Sequence, residues 1–281
     1  MQQTEFGSFS FTYNDFKYIS NLLNDHAGIR LGTTKRELVY ARLSKRLRAL
    51  GMQTFGEYCD LLRDGDAQEL THCINAITTN VTTFFREIHH FEFLEKTVLP
   101  ALIEQKGSTA MRRLRIWSAG CSSGEEPYSI EIVLREQAAL QSWDALVLAT
   151  DLDTHILEQA NKGHYNVKQL EKVSPERCKR WFRAGTGNNA NLVRVVPELR
   201  ERIRFRQLNL KNKWPMRGPF DVIFCRNVVI YFDKEMQKKL FNRFADILAP
   251  NGYLFIGHSE SLFGISDRFE VAGRTIYKKI F

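Results

Sequence analysis

The segment Gly120-Cys121-Ser122-Ser123-Gly124 follows a short apolar run and leads into Glu125-Glu126-Pro127. Glycines at such a turn let a phosphate, a nucleotide or a sugar approach the backbone. No Lys-Ser/Thr follows the second glycine, so this is not a Walker loop, and G-x-G-x-x-G is incomplete. The segment does match G-x-S-x-G, with Ser122 as nucleophile and Asp233 and His258 following in triad order. An esterase, however, places earlier strands and an oxyanion loop before its elbow, and none precedes this one. The third chemistry is an adenosyl ligand. Asp151 ends the next apolar run, where a carboxylate accepts both ribose hydroxyls. Asn209 ends the third, and its amide offers an adenine edge both a donor and an acceptor. The interval from Ser118 to Asp151 exceeds the ~20 residues of the dinucleotide fingerprint. Loop, carboxylate and asparagine in strand order favour a class I S-adenosylmethionine (SAM) methyltransferase over a dehydrogenase.

Those residues need a sheet to hold them. Runs at 114–118, 145–150, 204–208, 220–225, 253–257 and 275–281, most of them apolar, read as strands, and 234–248 as a helix closed by Pro250-Asn251-Gly252. Strand runs separated by helices predict an α/β sheet covered on both faces, with ligands outside the carboxyl ends of its strands. Gly120, Asp151, Asn209 and Asn227 fall at such ends. Residues 163–202 are too long for an ordinary connection. They read as an inserted β-subdomain with at least one hairpin, a short helix opening at Ser174-Pro175 and a strand over 191–196. It either accepts another chain's peptide by strand addition or acts as a lid or spacer. Residues 12–75 carry helical punctuation instead: capping-box starts at Thr12/Asp15, Thr34/Glu37 and Thr54/Glu57, and stops at Gly28, Gly51 and Gly65. The expected organisation is a helical domain over 1–76, a connecting segment with a helix over 77–106, and a SAM-binding domain over 107–281.

The 281 residues are 43% hydrophobic and 26% charged, a globular composition that excludes a largely disordered chain. No run of about 18 apolar residues is present and the first residues lack a basic-then-apolar pattern, so neither membrane insertion nor a secretory signal is expected. The five cysteines are scattered, with no CxxC pair, so a reduced cytoplasmic protein without disulfides is expected.

Net charge is +8, which suits an anionic partner. Seven basic residues and one acid lie between Arg30 and Arg48. On a helix, Val39, Leu43, Leu47 and Leu50 form one stripe, and Lys35, Arg42, Lys45 and Arg46 project from the other side. That face is either solvated or a docking surface for an acidic helical or polyphosphate partner. His89-His90 suggests a metal, but neighbours on a helix point to different sides, so no metal site is expected.

The motifs resemble the CheR-type chemotaxis receptor methyltransferases. The matching stretches, in the family's order, are Lys35 to Tyr40, Thr78 to Glu87, Ser122 to Ser129, Ala149 to Asp153, Phe224 to Asn227 with Ile230-Tyr231-Phe232, and Gly257 to Glu260. The resemblance implies a class I SAM-dependent methyltransferase with a Rossmann-like sheet, an N-terminal all-helical domain and a small inserted β-subdomain. It also implies methyl transfer to receptor glutamates, forming methyl esters and leaving S-adenosylhomocysteine. By the same resemblance Asn80, Thr82 and Arg86 close over the cofactor and Gly120 and Glu126 line the loop. Asp151 holds the ribose, Asn209 and Leu210 the adenine side, and Asn227 and Val228 the methionine side. Arg86 and Tyr231 shape the methyl-transfer site. The basic helix (Lys35, Arg42, Lys45, Arg46) meets the cytoplasmic receptor bundle; in some members of the family the β-subdomain holds a receptor C-terminal peptide, and the Gly185-Thr186-Gly187 loop favours that use here.

A glutamate is already ionised at neutral pH, so its methylation needs positioning rather than a general base. Plainer roles remain open: an Arg86–Glu87 ion pair, and Tyr231 as core. Two other functions stay in view. A nucleic-acid methyltransferase would suit the basic helix, but Arg226-Asn227-Val228-Val229 stands where base-amino enzymes carry D/N-P-P-Y/F. A regulatory module that binds SAM and docks on receptors is the other. The expectation is a monomer that binds chemoreceptors and no nucleic acid.

Overall fold

A computed structural model describes residues 8–107 and 112–280; Phe281, the last residue of the expected final strand, lies outside them. The chain divides into two compact units, Met1–Thr79 with Tyr231–Met236, and Asn80–Ile230 with Gln237–Phe281.

The first unit is helical: α1 (Tyr13–Ala27), α2 (Arg36–Leu50), α3 (Phe55–Arg63) and α4 (Ala67–Ile77). Its sequence writes most of its own boundaries. Thr12 and Asp15 form a reciprocal capping box, and Gly28 ends α1 in the left-handed region at φ 72°. The Thr54 hydroxyl accepts the Glu57 N–H, and Asp66 accepts two N–H groups at the start of α4. The expected Thr34/Glu37 box is not used: a 3-10 turn over Thr33–Lys35 precedes α2, which has no side-chain cap. Ile19, Leu23, Val39, Leu43, Leu47, Phe55 and Tyr58 are buried, with the Phe11, Tyr40 and Phe55 rings in mutual contact.

The second unit begins with α5 (Ile88–Phe93) and α6 (Leu99–Gly107), joined by a π-helical turn over Leu94–Val98. Pro100 cannot donate to the carbonyl of Lys96, which accounts for the widened turn. The sheet strands are β1 (Arg113–Ala119), β2 (Asp144–Asp151), β6 (Ile203–Gln207), β7 (Phe220–Cys225), β8 (Leu248–Ile256), β9 (Phe269–Gly273) and β10 (Ile276–Lys279), in the order β6-β2-β1-β7-β8-β10-β9. The first five are parallel, and β10 pairs antiparallel with β8 and β9. The helices are α7 (Glu125–Glu136), α8 (Thr154–Lys162), α9 (Pro175–Trp181), α10 (Pro197–Arg200) and α11 (Lys234–Ile247). A separate sheet, β3 (His164–Asn166), β4 (Phe182–Ala184) and β5 (Leu192–Val195), is antiparallel in the order β3-β5-β4. It forms a small β-subdomain that falls within the insertion expected over 163–202.

Strand β8 starts directly after α11 and runs through Pro250-Asn251-Gly252, which the sequence reads as a helix stop. Strand β9 has no counterpart among the expected strands.

α7 is buried over nearly its whole length, including Glu131. Burial pushes the Glu131 carboxyl up to about 7 against the pull of Arg135. An unfolded glutamate releases its proton near ~4.3, so the folded chain binds more protons between the two values. This group's contribution to stability therefore falls as pH rises from about 4.3 to 7. Glu131→Gln removes that slope. Urea titrations at pH 5 and pH 7 should show a smaller loss of unfolding free energy in the variant; equal losses would refute the assignment.

Candidate functional site

The strand ends are flush. Ala119 pairs with Thr150, Ser118 with Phe224, Cys225 with Ile256, and Asp151 with Gln207. One row along the carboxyl edge thus collects Gly120, Asp151, Asn209, Asn227 and Gly257. Strand order turns back between β1 and β7, where open α/β sheets bind their ligands.

At that point the loop after β1 turns sharply. Gly120 has φ 85°, Ser122 φ 49° and Gly124 φ 97°. The Gly120 and Cys121 N–H groups both donate to the Thr150 carbonyl, at 2.8 and 2.9 Å. A Cβ on Gly120 would lie 2.3 Å from Val228 Cγ2, so two expected cofactor residues flank the switch point in direct contact. The Ser122 N–H donates to Asp151 Oδ2 at 2.8 Å and the Asp153 N–H to Oδ1 at 3.1 Å. Burial raises the Asp151 carboxyl, while these two N–H bonds oppose the rise. Each oxygen retains a lone pair for a ribose hydroxyl.

Asn80 is held over this loop: its Nδ2 donates to Asp153 Oδ2 at 2.9 Å and its carbonyl accepts from Ser122 Oγ at 3.0 Å. Ser122 Oγ and His258 are thus committed elsewhere, His258 Nδ1 lying 3.2 Å from Glu87, and the esterase pairing does not form. Thr82 is half-buried in the same segment. Arg86 Nη1 donates to the Val81 carbonyl at 2.9 Å, rather than pairing with Glu87.

Glu126 is buried, accepting from Ser118 Oγ at 2.7 Å and Arg226 Nη1 at 3.0 Å. Burial pushes its carboxyl up, with Arg226 pulling the other way. Arg226 also reaches the Arg86 carbonyl at 2.5 Å and Glu87 at 3.4 Å. Burial raises Glu87 too, but Arg226 and the hydrogen bonds from His258 hold it below the usual range. Asn227 takes φ 60°, and its N–H donates to Glu260 Oε2 at 3.0 Å. Glu260 also accepts the Val229 and Gly257 N–H groups, at 3.0 and 2.6 Å. Asn209 accepts the Lys211 N–H, and Leu210 is buried with Trp214 and Arg243 on its carbonyl.

Sequence reasoning missed Arg226, Glu260 and Asp153. Each sits inside a stretch it singled out, but only the fold reveals that Arg226 bridges two acids and Glu260 gathers three N–H groups.

Tyr231 belongs to the first unit, where its carbonyl accepts the Arg30 N–H at 3.3 Å. In that unit the structure corrects the four-residue docking face. Arg42 is spent on the Ile77 and Thr78 carbonyls at 2.5 and 2.7 Å and Thr79 Oγ1 at 3.1 Å. Arg46 grips the buried Glu69 through two bonds, at 3.0 and 2.5 Å. Both cations hold α2 to α4 and the segment after it; Lys35 and Lys45 remain exposed. The two histidines are also corrected. His89 and His90 do not diverge, their ring centroids lying 4.2 Å apart.

A largely parallel sheet, a glycine loop after its first strand and an acid at the end of its second define a class I SAM-dependent methyltransferase domain, and the cradle at Gly120 with the Asp151 carboxylate fits that cofactor. The family described as CheR methyltransferase, SAM binding domain, matches residues 80–278, and CheR methyltransferase, all-alpha domain, matches 14–78. The chain belongs to the CheR methyltransferase family. It is 45% identical over 264 residues to the chemotaxis protein methyltransferase of Klebsiella aerogenes, covering 93% of this chain and 88% of that one. It is 43% identical to that of Escherichia coli, with 93% and 89% covered. Chemotaxis protein methyltransferase 2 of Pseudomonas aeruginosa is 44% identical, with 96% and 94% covered. Among the described residues no helix is long and apolar enough to cross a membrane.

Proposed function

We propose that this protein methylates glutamate side chains in the cytoplasmic domains of methyl-accepting chemotaxis receptors, forming methyl esters. Its relatives' names support the chemotaxis setting. The observation that carries the acceptor's chemistry is that Glu126, Asp151, Asp153 and Glu260, the acids described above at the strand ends, all hold donors already. None is poised as a general base, and an ionised glutamate needs none.

SAM supplies an electrophilic methyl group on a sulfonium. The protein's part is to hold the acceptor oxygen in line with it, an effect worth up to ~7–11 kcal/mol in favourable cases. In this reading Asp151 binds the ribose, and Asn209 and Leu210 the adenine. Asn227 and Val228 take the methionine end, Gly120 and Glu126 shape the loop, and Asn80 and Thr82 cover it. Arg86 and Tyr231 position the reacting groups. Arg86 is not an activator: a cation bound tightly to the acceptor would stabilise its ground state.

The protein acts as a monomer in the cytoplasm and takes no nucleic acid. Lys35 and Lys45 form the basic part of the receptor-docking surface, and an edge of the β3-β5-β4 sheet takes a receptor C-terminal peptide by strand addition. The double reversal Lys35→Glu/Lys45→Glu should cut receptor methylation at least tenfold at low salt and leave SAM affinity within twofold. Wild-type rates in that variant would remove the docking assignment.

The function itself is tested by transferring labelled methyl from SAM to a purified cytoplasmic receptor fragment, then treating with mild alkali. Esters release volatile methanol, whereas N-methyl groups persist. Alkali-stable label would overturn the glutamate reading. Bound SAM without transfer to any of a panel of receptors would favour the regulatory module.

A further inference from the structure

We infer that Glu87, His89 and His90 form a site for one divalent transition-metal ion of the zinc type, independent of the acceptor proposed above. One ligand atom from each residue lies within 4.8 Å of the other two. Glu87 Oε2, His89 Nε2 and His90 Nδ1 are buried and have no hydrogen-bond partner.

The tautomer of His90 sharpens the point. The ring is fully buried, and its Nε2 lies 2.9 Å from Thr275 Oγ1. That hydroxyl spends its proton on the Arg274 carbonyl at 2.7 Å, so it accepts from Nε2–H and leaves Nδ1 as a bare lone pair. Nδ1 faces Glu87 Oε2 at 3.6 Å, so two acceptors look at each other across a gap with His89 beside it. A shared cation resolves that opposition. The Thr275 contact is also the outer-shell bond that orients metal-ligating imidazoles.

Two imidazoles and a carboxylate suit Zn²⁺, Co²⁺ or Ni²⁺ rather than Mg²⁺ or Ca²⁺, with a fourth position left for water. Ligand bonds of about 2.0–2.1 Å require the three atoms to draw together, and His89, half-buried in the first turn of α5, is the one with room to move. Arg226 opposes the ion, since it sits 3.4 Å from the same Oε2. It retains Glu126 and the Arg86 carbonyl if displaced. His258 Nδ1 stays on the other oxygen of Glu87.

The test uses untagged full-length protein stripped with chelator and titrated with CoCl₂. The expected result is one Co²⁺ per chain with visible d–d absorption, displaced by ZnCl₂ and not by MgCl₂. His89→Gln should weaken Co²⁺ binding at least tenfold, and Thr275→Ala by about 10–100-fold. Unchanged melting temperature and SAM affinity would show that both variants are folded. No saturable absorption change, or equal Co²⁺ affinity in wild type and His89→Gln, would overturn the site.

Discussion

Replacing Gly120 with alanine is expected to raise the SAM dissociation constant about 100-fold, or ~2.7 kcal/mol. Two costs add. At φ 85° an L-residue carries roughly 1–2 kcal/mol of backbone strain. The new Cβ would also lie 2.3 Å from Val228 Cγ2, where apolar carbons settle at about 3.5–4.0 Å. Either Val228 moves or the loop does. A moving loop drags the Ser122 N–H, and with it the bond that orients Asp151. The two costs separate in a double variant. Val228→Ala removes the colliding methyl and leaves Val228 Cβ at 3.5 Å, so Gly120→Ala/Val228→Ala should recover about tenfold of the loss and keep the strain. Calorimetric titration of SAM into each protein gives the cycle. Wild-type affinity in Gly120→Ala would mean that the cofactor does not lie against this turn.

How much of this was legible beforehand depends on whether one segment carries its own signal. The class I fold was legible because most of the parallel strands carry an apolar run that ends near a polar residue, β6 (Ile-Arg-Phe-Arg-Gln) being the exception. The reader needs only the run and its end to place Asp151 after β2 and Asn227 after β7. The inserted subdomain declared itself by length, and the capping residues of α1 and α3 by their spacing. Strand β9 did not: Phe269–Gly273 reads Phe-Glu-Val-Ala-Gly, short and largely uncovered at the sheet edge, and pairing with β10 makes it a strand. Strand β8 overran its expected start because its pairing with β7 carries an irregularity between Phe220 and Val222, opposite Pro250-Asn251-Gly252, and a bulge is where a strand accommodates a proline.

The candidate site shows the same divide. Spacing put glycines and acids at strand ends, but it could not say which acids already have partners. Glu260 gathers N–H groups from Asn227 and Val229, more than 30 residues away in sequence. The two histidines illustrate the limit of a helical projection. Ideal positions place adjacent residues about 100° apart, yet Glu87 stands at φ 57° ahead of the first turn of α5, and the Nδ1 of one ring and the Nε2 of the other reach different distances from the axis. Side-chain reach there outweighs the backbone angle.

The basic face of α2 is where projection misled most, and its correction carries the second large effect. Arg46→Ala should destabilise the helical unit by about 3–5 kcal/mol, the cost of breaking a buried ion pair from one side. Glu69 is 4% exposed. Without Arg46 its remaining side-chain donor among the described residues is the Tyr58 hydroxyl, at 2.7 Å, and a carboxylate in that place is badly short of donors. Arg46→Glu should be worse, since it sets a second carboxylate against the first. The reason is desolvation rather than lost attraction, and that separates the pair from a surface salt bridge. Removing all three polar groups together, as Arg46→Met/Glu69→Leu/Tyr58→Phe, should therefore restore most of the stability, because no orphaned charge is left. Denaturant titrations of the two proteins decide it. A loss under about 1 kcal/mol in Arg46→Ala, the range of an exposed pair, would return Arg46 to the surface. If the larger loss is found, reduced receptor methylation in an Arg46 variant reports a loosened helical unit, and only Lys35 and Lys45 can report docking.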